Sequence, residues 1–276
     1  MGATLDALIA ENRELRRELN LYRERLSAFE RSRWWRLHPR RAVRGSRLDR
    51  AGPIVATCPP ASTTARPVAA PPADDPSLAR FGDEVIARGS FTTDWVSTNF
   101  SHWRPILDDL EGRPARILEI GSFEGLSTCF LLWRLPRASL TCVDTFEGVT
   151  ENAGIAVGGL EEAFDANVAL LDPSRVRKLV GDSKRRLLDL SEAAEQFELV
   201  YVDGSHLGLD VLVDAALAWG LLARDGTIVF DDYRWAYLGD DPLLRPGKAI
   251  DAFCELVEGK FDVVFRNDQV ALRRIG

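Results

Sequence analysis

The chain has 276 residues, 46% of them hydrophobic, and a formal net charge of −7. That is enough for one sizeable domain with extensions, and the apolar content is ordinary for a globular protein. Residues 1–50 hold 13 Arg, no Lys and 7 acids, against 22 bases and 35 acids in the remainder, so an acidic body carries a basic arm and nucleic acid is excluded as its natural substrate class.

Residues 5–29 carry a heptad. Leu5, Leu8, Asn12, Leu15, Leu19, Tyr22, Leu26 and Phe29 fall at alternating spacings of three and four. Glu11 with Arg16, Glu18 with Arg23, and Arg25 with Glu30 are opposite-charge g-to-e′ pairs, and Asn12 at an a position favours a parallel dimer in one register. The expectation is a coiled-coil helix over 1–32 that pairs two chains. A single amphipathic helix docked on its own domain satisfies the same pattern.

Residues 33–77 read as a basic arm followed by a Pro/Ala-rich linker. Eight arginines fall between Arg31 and Arg50, with Trp34 and Trp35 among them. Arg beside Trp suits a peripheral contact with an anionic membrane, and equally a solvated basic spacer. Seven of the fourteen prolines lie in residues 51–77, mixed with Ala, Ser and Thr, so this stretch has no core of its own. A folded domain is expected over 78–276. Its first part, 78–110, reads as helical, with Phe91, Trp95, Phe100 and Trp103 serving as core or as a lid over a cleft.

Strands are then expected at 116–120, 139–143, 176–180, 197–202 and 226–230, and helices at 124–134, 160–171, 183–193, 208–222 and 247–258. Such alternation predicts an α/β doubly wound, Rossmann-like parallel sheet covered on both faces. Residues 261–265 and 270–275, joined by Arg266-Asn-Asp-Gln269, read as a C-terminal antiparallel hairpin that leaves an antiparallel strand at one edge. The sheet then has seven strands.

Cys58, Cys129, Cys142 and Cys254 show no CxxC spacing; two lie in apolar runs, as buried thiols in a reducing compartment do. No apolar run reaches the roughly 18 residues a membrane span needs. Asp6 and Glu11 do not suit a signal peptide, so the expected location is cytoplasmic.

Candidate chemistry collects at the carboxyl ends of the strands, where doubly wound sheets bind ligands. The first strand runs into Glu119-Ile-Gly-Ser-Phe-Glu-Gly125, and the second ends at Asp144, where an acid can accept from both hydroxyls of a ribose. The third is followed by Gly181-Asp-Ser183, the fourth by Asp203-Gly-Ser-His206, and the fifth by Asp231, Asp232 and Tyr233. Asp203, Asp231 and Asp232 end neighbouring strands. Three such carboxylates repel unless a hard cation, most naturally Mg²⁺, joins them. They also suit a helix cap and polar loop residues. His206, three residues after Asp203, has the pKa range of a general base, and also suits a backbone-bonded or metal-positioning histidine.

Together these segments resemble class I S-adenosylmethionine-dependent methyltransferases, over roughly residues 90–275, and most of all the metal-dependent sugar O-methyltransferase and cephalosporin hydroxylase-like group. The resemblance implies that Gly121 and Gly125 cradle the methionine part of S-adenosyl-L-methionine, with Glu119 and Ser122 also binding the cofactor. It also implies that Asp144 holds the ribose, and that Asp182 and Ser183 lie beside the adenine. Asp203, Asp231 and Asp232 are then Mg²⁺ ligands, and His206 with Asp203 is catalytic. A nicotinamide-binding domain wants G-x-G-x-x-G, whereas this chain has E-x-G-x-x-x-G. Residues 33–39 resemble N-terminal segments of bacterial surface-glycan enzymes, which points to a small-molecule or glycan acceptor. A metal-free N- or O-methyltransferase and a non-catalytic coiled-coil scaffold are the remaining readings.

Overall fold

The computed structural model of the protein describes residues 76–94, 96–148, 159–236 and 241–276. The expected coiled coil, basic arm and most of the linker lie outside the described residues, as do Trp95 and residues 149–158 and 237–240.

Seven strands form one sheet. They are β1 (Ala115–Ile120), β2 (Ala138–Asp144), β3 (Val176–Val180), β4 (Phe197–Val202), β5 (Leu222–Phe230), β6 (Phe261–Arg266) and β7 (Val270–Arg274), in the spatial order β3-β2-β1-β4-β5-β7-β6. The first five are parallel, and β7 is antiparallel to both β5 and β6. The strand expected to be reversed at an edge is therefore internal. The hairpin's burial explains the correction: Val270, Ala271 and Leu272 are fully buried and suit a central strand, whereas β6 is mostly part-exposed and takes the edge. β5 also begins at Leu222, four residues earlier than expected.

Period-two alternation divides the core into two layers. Ile117, Leu199, Val229 and Ala271 face one side. There they meet the helices α1 (Pro76–Glu84), α2 (Arg104–Leu110), α3 (Leu126–Arg134) and α4 (Leu160–Val168). Leu118, Val200, Ile228 and Leu272 face the other side. Their partners are α5 (Ser183–Glu192), α6 (Gly208–Leu221) and α7 (Pro246–Leu256). Cys129, Cys142 and Cys254 are buried, and burial pushes the Cys129 thiol up to about 12.

The expected helical run over 78–110 is broken. Only α1, short 3-10 turns and α2 are helical; residues 89–94 run without regular structure. The reason is tertiary. Ser90 N donates to Asn167 Oδ1 (2.7 Å), and Thr92 donates through both N and Oγ1 to the Glu124 carboxylate (2.7 Å each). A continuing helix would withdraw those donors. Phe100 and Trp103 belong to the core, and Phe100 stacks on Phe130 with ring centroids 3.7 Å apart. Among the described residues no helix is long and apolar enough to cross a membrane.

Candidate active site

Strand order reverses between β1 and β4, and the ladder there continues one residue past each strand. Gly121 N donates to Val143 O, Asp203 N to Ile120 O, Gly181 N to Asp144 O, and Asp231 N to Val202 O. The four turns are thereby levelled into one rim. Gly121, at φ +85°, sits where a Cβ would collide with the Asp203 carbonyl, so only glycine lets β1 and β4 exit side by side.

The half of the rim around the β1 turn is organised by Asp144. Its Oδ2 accepts from Ser122 N (2.7 Å) and Phe123 N (2.8 Å), and its Oδ1 accepts from Phe146 N (2.7 Å). Phe123 and Phe146 both have positive φ, at +46° and +54°, a conformation costly for bulky residues. The carboxylate holds both in place. Phe123 thus adopts at a side-chain-bearing position the backbone a glycine would take freely. Asp144 also lines a cavity of about 150 Å³ with Gly121, Gly181, Asp182 and Ser183. These are the residues expected at the methionine, ribose and adenine positions.

Glu119, Ser122 and Gly125 fall outside that lining. Glu119 is fully buried and accepts from Ser127 Oγ (2.6 Å) and Thr128 Oγ1, which ties β1 to the first turn of α3; burial holds its carboxyl above the usual range. Ser122 is 2% exposed and reaches the rim through its backbone N–H. Gly125 has φ +80° and packs against Phe164, whose ring would lie 2.9 Å from an added Cβ.

Asp203, Asp231 and Asp232 do come together on the second half of the rim. The Tyr201 hydroxyl reaches Asp203 Oδ2 (2.9 Å) and Asp231 Oδ2. Gln269 Nε2 donates to the same Asp231 oxygen (2.8 Å), while Gln269 Oε1 accepts from Trp103 Nε1 (2.8 Å). Asp231 Oδ1 takes the N–H of Asp232 (2.7 Å), which has φ +57°. Burial, then the neighbouring carboxylates, raise the pKa of both Asp203 and Asp231. Asp232 Oδ2 lies 2.8 Å from His206 Nε2, and the His206 ring stacks on Trp235 at 4.6 Å.

Half-buried carboxylates held by neutral partners are an all-oxygen donor set with excess negative charge, which suits a hard divalent cation. They share a rim without surrounding one point: among the described residues no group of three or more His, Cys, Asp or Glu is arranged to hold a metal ion. A second cavity, about 460 Å³, opens on this half and is lined by Thr98, Asn99, Asp231, Asp232, Trp235 and Asp268, among others.

Sequence reasoning missed Tyr201, Gln269, Trp103 and Trp235. Tyr201 left a signal, since period two puts it on the same face as Asp203. Gln269 and Trp103 left none, being 166 residues apart and joined only by the fold.

This Rossmann-like sheet with its C-terminal antiparallel strand pair has the fold of solved methyltransferase structures. Residues 118–233 match the model of a methyltransferase domain. A comparison with curated proteins gives no match. Among solved structures, the MycE methyltransferase of the mycinamycin biosynthetic pathway, in complex with Mg and SAH, superposes with TM-score 0.52 at 16% identity, over 73% of this chain and 55% of that one. A putative O-methyltransferase from Klebsiella pneumoniae gives 0.51 at 20% identity (74% and 91% covered). An O-methyltransferase from Bacillus cereus in complex with SAH gives 0.50 at 14% (73% and 92%). The chain thus spans about half the length of the MycE chain.

Proposed function

We propose that the protein is an S-adenosylmethionine-dependent O-methyltransferase whose acceptor is a sugar or another vicinal-hydroxyl small molecule, assisted by Mg²⁺. The observation that carries this reading is the adjacency along one rim of two unlike halves. The lining of the Asp144-organised cavity reaches Gly204, next in the chain to Asp203; Asp203 shares the Tyr201 hydroxyl with Asp231, and the adjoining Asp232 lies against His206. The MycE structures, one of which also holds mycinamycin VI, support the same pairing of SAH with Mg.

Bound S-adenosylmethionine supplies an electrophilic methyl carbon on a sulfonium leaving group. The Gly121–Gly125 turn and the end of β3 hold and orient that ligand. The acidic cavity receives the acceptor, with Thr98 and Asn99 lining it beside the carboxylates. His206, braced between Asp232 and Trp235, takes the acceptor hydroxyl proton; the oxygen then bonds to the methyl carbon as the C–S bond breaks. Asp203, Asp231 and Asp232 would hold Mg²⁺, which supplies a Lewis acid that lowers the pKa of the acceptor hydroxyl.

A metal-free variant is favoured by one observation: the Asp232 carboxylate is already engaged by His206. A turnover screen of nucleotide sugars, lipid-linked glycans and catechols, run with Mg²⁺ and with EDTA, separates the two readings. We expect SAH release with a hydroxylated acceptor in Mg²⁺ and at least a tenfold loss in EDTA. Equal rates would discard the metal, and no SAH from any acceptor would discard the O-methyltransferase reading.

The coiled coil over 5–29 would pair two copies. The Arg-rich arm would place the enzyme peripherally on the inner membrane face of the cytoplasm, where surface glycans are assembled. Sedimentation, and flotation with anionic vesicles, test these two expectations. The extended domain division (1–32, 33–77 and 78–276) is proposed on the same sequence grounds.

A further inference from the structure

The adenine end of the cofactor cavity contains a feature that the reaction above does not use. Asp214, on α6, is 1% exposed and lines the cavity, yet no salt bridge is formed by its carboxylate among the described residues. Its Oδ1 accepts from Ser183 Oγ at 2.8 Å. The charged groups facing it are Lys184 and Asp182 from α5 and its cap, and Asp210 one turn earlier on α6. Lys184 is itself committed to Asp210, with Nζ 2.5 Å from Oδ1. Burial pushes the Asp214 carboxyl up to about 7.

A serine hydroxyl has one proton and two lone pairs. While Asp214 is ionised it accepts that proton, and Ser183 can offer the cavity only lone pairs. A protonated Asp214 can donate to Ser183 Oγ instead, which frees the hydroxyl hydrogen to turn into the cavity. The same side chain is then a donor.

We propose that Asp214 is a positioning residue that sets the polarity of the Ser183 hydroxyl, and that the ionised pair selects the amino-bearing edge of adenine over the oxo-bearing edge of hypoxanthine. This rests on the methyltransferase reading, because it needs the nucleoside to lie against Ser183. A 6-amino group donates and meets the lone pairs of Ser183. A 6-oxo group accepts and meets them lone pair to lone pair, leaving a desolvated acceptor unmatched.

The sign follows directly. Raising pH through 7 ionises Asp214 and favours the amino-bearing ligand; lowering it favours the oxo-bearing one. If only the ionised form accepts the amino edge, SAH should bind about tenfold more weakly at pH 6 than at pH 8.

The test is isothermal titration of the full chain with SAH and with S-inosylhomocysteine at both pH values. Wild type should show that tenfold slope for SAH. At pH 8 it should bind the inosine analogue about tenfold more weakly than SAH, with the preference reversing at pH 6. Asp214→Asn should bind SAH equally at both pH values. Ser183→Ala, which leaves the buried carboxyl in place, should also lose the slope and the discrimination, which separates hydroxyl polarity from simple charge. A wild type with equal SAH affinity at both pH values, or a Ser183→Ala protein that keeps the slope, overturns the inference while the methyltransferase reading stands. Wild-type protein that binds no SAH at either pH overturns both.

Discussion

The two halves of the rim are built by opposite means. On the Asp144 side, one carboxylate captures three backbone N–H groups no more than 22 residues away in sequence, so the loop is shaped by its own main chain. On the acidic side, Asp203 and Asp231 share the hydroxyl of Tyr201 in β4, Asp231 is also held by Gln269 between β6 and β7, and Gln269 is held in turn by Trp103 before α2. The first half is a local device that any chain with the right turn can assemble. The second exists only once the sheet is complete.

The sharpest way to break this contrast is at the seam between the halves. Gly121→Ala puts a methyl group into the Asp203 carbonyl and forces both turns apart. SAH affinity should fall by about a hundredfold or more, and the far-UV spectrum should show whether the sheet survives. Wild-type binding would mean that the close approach of β1 and β4 is unimportant.

A smaller effect is expected from Asp144→Ala, which strands three backbone donors and releases the strained Phe123 and Phe146. Calorimetry should register a loss of SAH affinity of about tenfold to a hundredfold, with the melting temperature lowered by only a few degrees. An equally large loss of stability would show that this loop is part of the core and not a local device.

The acidic side should respond in the reverse sense. Gln269→Leu removes both the acceptor of Trp103 and a donor to Asp231, and denaturant unfolding should show a loss of about 2 kcal/mol. SAH affinity should move less than twofold. Adding Trp103→Phe to that variant should cost little more, because the two side chains act as one unit.

The same contrast explains what could be read in advance. The β1 turn, Asp144 and the Gly181-Asp-Ser183 segment are legible because glycines, acids and strand periodicity mark them within a few residues. The three aspartates are legible too, since each simply follows a strand. Their partners are not: Gln269 looks like an ordinary hairpin residue, and Trp103 like one more core aromatic. The broken helix over 78–110 failed for a related reason. Thr92 and Ser90 leave helical geometry to reach Glu124 and Asn167, and nothing near them in sequence announces those acceptors. The internal position of β7 was equally hidden, since a hairpin pattern carries no information about which of its strands joins the sheet.

Those tethers to Glu124 and Asn167 bear on where the folded domain can be excised. A boundary drawn at the family match, residue 118, would discard Ser90 and Thr92 together with Phe81, Phe100 and Trp103, and so uncover the outer face of α3. The Rossmann-like sheet in this protein is accordingly not autonomous. The segment before its first strand works as a cover, and any minimal version of the folded domain must carry it along.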